Sequence, residues 1–321
     1  MKINRVIVTL LVTLIYTVVL PRVPWLADRA VSATVVLVVM LGAWAIQQRA
    51  YTDAWIGVSI ALALAVAKVW FGDTDELLLV LVTCAILAYG YLSFALLIGP
   101  WSRFFRPRFV RLMKHRRHVG VTGLLLAQTH VSIVFVGYYG DQIPSALSIA
   151  PNVFGATTLY IMDLMGFTSW DFATKKITLP WWNVIHTTGL FGYLGLLAYV
   201  WNRAGLAGWE KGVLVAFALY WLWQSPWRVQ WLAHRTPNGW RQLHLLVYAA
   251  YAAIIIHVWS GVVSQRPLII QTVFLLPAVL VVGSHSVGLA MKHRQMKARR
   301  MQQPPAVPPP IPPPPTDHGT P

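Results

Sequence analysis

The chain has 321 residues, of which 57% are hydrophobic and only 11% charged. Apolar runs recur from end to end, and segments of about 20 such residues cross a bilayer as helices, which satisfy their own backbone there; a water-soluble globular fold is excluded. The net charge of +16 would suit nucleic acid, but the basic residues sit in the loops between apolar runs, where positive-inside placement accounts for them. The expectation is an all-α, multi-pass membrane bundle with lipid around it and no nucleic-acid partner. Sixteen Trp fit aromatic belts at the two interfaces. The one cysteine, Cys84, makes neither a disulfide framework nor a cysteine metal motif.

The first apolar run, residues 6–20, follows Lys2 and Arg5. It reads as a retained first helix rather than a removed signal peptide, with the N-terminus cytoplasmic. Pro21 and Pro24 break it. The second span is 31–46, and the third, 54–71, ends at Asp73, Asp75 and Glu76. The fourth is 77–98. Gly99-Pro100 then opens the most basic loop, with Arg103, Arg106, Arg108, Arg111, Lys114, Arg116 and Arg117, which should be cytoplasmic. The fifth span, 119–139, carries His130. The sixth, 147–170, contains Pro151, Asn152 and Asp163; topological parity asks for it, since Lys175 and Lys176 then fall inside. The seventh is 181–201, with His186, and the eighth is 212–224, ending at Ser225-Pro226. A basic loop with His234, Arg235 and Arg241 leads into the ninth, 240–258, which holds His244 and His257. The tenth, 268–289, carries Ser284-His285. A basic end at 292–300 and a proline-rich, extended, disordered tail follow. This gives ten spans with both termini cytoplasmic, or nine if 147–170 lies on the surface. The domains are N-terminal transmembrane helices at 1–76, a core at 77–263 with an inserted segment at 147–201, a last helix and basic end at 264–300, and a tail at 301–321.

Ionisable side chains are expensive in lipid, so intramembrane histidines are site candidates. On the fifth span His130 lies twelve residues beyond His118, about 18 Å along a helix axis. On the ninth, His257 lies thirteen beyond His244, about 20 Å. Both spans run from inside to outside, so His130 and His257 match in depth in the outer half, and His118 and His244 match near the inner surface. Two histidines facing each other across a helix bundle are what a b-type haem takes as axial ligands. The outer haem iron falls to His130 and His257, and an inner one to His244 and His118. The helical angles, about 120° from His118 to His130 and about 220° from His244 to His257, present the two pairs differently. His115, His186 and His285 compete as inner ligands.

Arg116-Arg117-His118-Val119-Gly120, with His130 ten residues on, resembles one haem-binding helix of the ferric reductase-like transmembrane domain, the superfamily of ferric reductases and NADPH oxidases. Trp240-Arg241-Gln242-Leu243-His244-Leu245-Leu246-Val247-Tyr248, ending at His257, resembles another. Within that superfamily the pattern is most similar to the haem-binding membrane subunit of the methionine sulfoxide reductase system. The resemblance covers roughly residues 77–258 and implies b-haem held by His130 and His257, with His244 at an inner haem. The chain departs from the pattern at the position four residues before Gly120, where ferric reductases carry a histidine and this sequence has Arg116.

The functional expectation is a haem b protein of the bacterial inner membrane, with one or two haems. It would pass electrons from a separate donor, a cytoplasmic flavoprotein or a quinol, to an acceptor on the outer side. It would serve as an oxidoreductase subunit without a flavin or NADPH domain of its own; no GxGxxG stands in a βαβ context. Two other classes stay open: a non-redox transporter using its histidines as proton relays, and a membrane assembly or scaffold subunit.

Overall fold

The structure, a computed structural model, describes residues 39, 50–71, 75–105, 109–140, 142–169, 176–232 and 238–302. The expected spans at 6–20 and, but for Val39, at 31–46 lie outside the described residues, as do the loop with His234 and the proline-rich tail.

Among the described residues every element is helical and none is a strand. The helices are α1 (Ala50–Phe71), α2 (Glu76–Phe104), α3 (Arg116–Ile133), α4 (Ala150–Thr168), α5 (Leu179–Val200), α6 (Gly208–Gln224), α7 (Pro226–Leu232), α8 (Gly239–Leu245), α9 (Val247–Gly261) and α10 (Leu268–Gln302). The eight expected spans from 54–71 onward each coincide with a helix or, for 240–258, with α8 and α9 in series. Among the described residues, four stretches are long and apolar enough to cross a membrane: Glu76–Phe104, Arg116–Tyr138, Gly239–Gln265 and Leu268–Gln295. Helices α4 and α5 have the length but dilute their hydropathy with Asn152 and Asp163, and with Asn183, His186, Thr187 and Thr188.

Local chemistry sets the ends of these helices. Asp75 caps α2 by accepting from the amide of Leu78 at 3.1 Å, which satisfies one of the orphan donors of the first turn. Asn238 does the same for α8, accepting from the amide of Arg241 at 3.0 Å. Helix α3 runs on into a π turn, Val134–Tyr138. Leu246, whose amide returns to Leu243 at 3.0 Å, makes a tight turn between α8 and α9. The stretch 240–258 is therefore two helices in series, and a uniform advance of about 100° per residue does not hold across it.

Helix α2 packs most extensively against α3, and α4 against α9. Lipid tails are as apolar as leucine, so close fit rather than escape from water holds such helices together. The contact of α2 with α3 depends on Gly123: a Cβ there would lie 3.4 Å from the carbonyl oxygen of Ala88 and from the amide of Leu92. The largest buried cluster joins α2, α4, α5, α6, α9 and α10 around Tyr89, Ile161, Tyr193, Trp221, Leu246 and Tyr251.

Candidate functional site

Helices α2, α3, α4 and α9 converge where α3 and α9 bring two imidazoles together. The rings of His130 and His257 have their centroids 6.3 Å apart and their planes inclined by 69°. Each ring is held from behind by a backbone carbonyl. His130 donates from Nδ1 to Leu81 of α2 at 3.1 Å, and His257 donates from Nδ1 to Pro151 of α4 at 2.7 Å. A carbonyl only accepts, so both rings carry their proton on Nδ1 and keep the Nε2 lone pair. A backbone oxygen that takes the proton of one ring nitrogen fixes the tautomer and turns the other nitrogen outward, as it does for metal-binding histidines.

The backbone of α4 gives His257 room for this position. A Cβ at Gly155 would lie 3.1 Å from Cε1 and Nδ1 of His257, inside ordinary contact distance. Any larger residue there would push the ring away from the Pro151 carbonyl one turn earlier. Nothing in the sequence marks Gly155, since a glycine in an apolar helix carries no signature of what approaches it.

The histidines at the other, basic end are arranged differently. His244 donates from Nδ1 to the carbonyl of Trp240 at 2.8 Å and stacks on that indole at 4.1 Å between centroids. Its Nε2 lies 3.0 Å from the hydroxyl of Ser169, at the end of α4. Both nitrogens of His244 thus have partners within the protein. His118 is fully buried on α3. His186, also fully buried, donates from Nε2 to the carbonyl of Gly239 at 3.1 Å and ties α5 to the start of α8. His285 donates from Nε2 to the carbonyl of Leu96 at 3.1 Å, and its Nδ1 accepts from the Tyr248 hydroxyl at 3.2 Å.

Midway along α4, Asp163 accepts from the side-chain amide of Gln128 of α3 at 2.8 Å. No cluster of three or more His, Cys, Asp or Glu able to hold a metal ion occurs among the described residues. No family model, curated protein or solved structure matches the chain.

Proposed function

We propose that the chain is a b-type haem electron-transfer protein of a membrane, in which the imidazoles of His130 and His257 would hold the haem iron. The observation that carries this is the spacing of the two rings. Bonds of about 2 Å from a metal to each Nε2, with about 1 Å more from nitrogen to ring centre, put two axial imidazoles roughly 6 Å apart; the pair stands at 6.3 Å. The protonated Nδ1 atoms face away to carbonyls of α2 and α4, leaving the nitrogens a haem iron takes. The likeness of residues 116–130 and 240–257 to the ferric reductase-like domain points the same way.

When bound, haem would supply one-electron redox chemistry. The chain's own contribution is to bring the two rings together and to fix both tautomers through Leu81 and Pro151. The pair lies at the end of the bundle opposite the basic loops. Positive-inside placement would make that the outer half of a bacterial inner membrane, with electrons entering from a cytoplasmic flavoprotein or a quinol and leaving to an outer acceptor. At the basic end, iron at His244 would have to displace Ser169 from Nε2, so we assign one haem rather than two.

Reduced-minus-oxidised difference spectra of the purified protein, made with haem available, test this. The expected result is b-type α and Soret bands, lost in both His130→Ala and His257→Ala. Absence of those bands from the wild-type protein overturns the reading. Full haem content in both variants overturns the assignment of ligands.

A further inference from the structure

Four side chains from four helices lie within electrostatic reach of one another at the basic end, away from the histidine pair: Arg103 in the last turn of α2, Arg116 at the start of α3, Tyr248 on α9 and His285 on α10. Arg103 and Tyr248 bear electrostatically on Arg116. Both arginines bear on Tyr248 and on His285. Among the described residues no carboxylate contributes to any of the three.

The cluster is built rather than incidental. Arg116 donates from Nε to the carbonyl of Ala95 at 2.8 Å, which fixes the guanidinium and leaves its terminal nitrogens for another acceptor. That guanidinium lies over Gly99, where a Cβ would be 3.4 Å from Nη1. The Arg103 guanidinium lies beside Gly288 of α10, 3.8 Å from where a Cβ would be. Tyr248 and His285 are bonded to each other, and Tyr248 is 36% exposed. Two guanidinium groups without a carboxylate call for an anion, and planar guanidinium forks suit phosphate oxygens.

The surroundings say which anion. Val282 and Val287, either side of His285 on α10, are more than half exposed, so the cluster opens toward lipid. Trp101, Phe105 and Phe109 make edge-to-face ring contacts beside it, an aromatic grouping of the kind found at headgroup depth. Trp101 also donates from Nε1 to Ser284, next to His285, at 3.0 Å. Basic notches between helices at this depth take lipid headgroups. We propose that Arg103, Arg116, Tyr248 and His285 form a binding site for a phosphate group, that of an anionic phospholipid in the leaflet at the basic end.

The site stands independently of any haem, and its test uses the full chain. Native mass spectrometry of detergent-purified protein, titrated with phosphatidylglycerol or phosphatidylcholine, reads retained lipid. Thermal unfolding with each lipid or with inorganic phosphate reads stabilisation. The expected result is retention of phosphatidylglycerol over phosphatidylcholine and stabilisation by the former. Retention should weaken about fivefold in Arg103→Gln, an exposed residue whose loss leaves folding intact, and stay unchanged in Arg203→Gln, a cation resting on Tyr199. Equal retention of both lipids, or wild-type retention in Arg103→Gln, overturns the proposal. Equal stabilisation by inorganic phosphate overturns the lipid as the source of the phosphate.

Discussion

The carbonyl of Leu96 accepts a hydrogen bond from Nε2 of His285, 189 residues away, at 3.1 Å. In a regular helix that carbonyl would take the amide of residue 100, but position 100 is proline and has no amide. His285 fills the gap and so pins α10 to α2 one turn before Pro100. His285→Ala should strand this carbonyl and cost about 1–3 kcal/mol, read as a lower Tm with haem content unchanged. Pro100→Ala restores the missing donor, so His285→Ala should cost less in that background. A double-mutant cycle with no coupling would refute the link.

Gly155→Ala places a methyl group 3.1 Å from the His257 ring. The ring must shift, and the bond to Pro151 lengthens or breaks. Loss of the carbonyl that holds a metal-binding histidine's other nitrogen typically costs about 10–100-fold in metal affinity, so haem retention should fall in that range while the helical circular dichroism stays. Gly195→Ala is the control: nothing lies within 4 Å of its Cβ position, and the substitution should be neutral or slightly stabilising.

His244→Phe keeps an aromatic ring on Trp240 and removes both hydrogen bonds. With a single haem at His130 and His257, this variant should retain the wild-type haem-to-protein ratio in a pyridine haemochrome assay. A ratio that halves would place a haem at His244 and refute the one-haem assignment.

Gln128 and Asp163 make a polar contact between α3 and α4 within an apolar bundle. Gln128→Leu strands the carboxylate and should cost about 1–3 kcal/mol. Asp163→Asn keeps a hydrogen-bonding partner for Gln128 and should cost less. If Asp163→Asn is the more damaging in thermal unfolding, the carboxylate does something that this pairing does not explain.

Apolar run length placed the long described helices from residue 54 onward, because it is written in the side chains, but not α7, which falls in a stretch read as a loop. Depth matching of two histidine-bearing helices likewise led to the pair His130 and His257, which the structure brings into ring contact. What could not be read was which histidines face carbonyls. The partners of His130, His186, His257 and His285 are backbone oxygens of Leu81, Gly239, Pro151 and Leu96, and a backbone oxygen looks the same at every position of a sequence. One of the four had a signal: Pro100 announces an unpaired carbonyl four residues earlier. The turn at Leu246 is the other loss, since no glycine or proline marks it and angles counted from His244 to His257 pass straight through it.

Helix α4 touches both histidines of the stretch 240–258, His257 through Pro151 and Gly155 and His244 through Ser169. From Gly155 to Ser169 is fourteen residues, about 21 Å of helix. On the facing side, α8 and α9 are interrupted at Leu246, whereas α4 runs unbroken to Thr168. The continuous helix is therefore the ruler and the interrupted one the part measured. Adding or deleting a single residue between Gly155 and Ser169 would put one histidine out of register with its partner, whatever the sequence of the helix that bears the histidines.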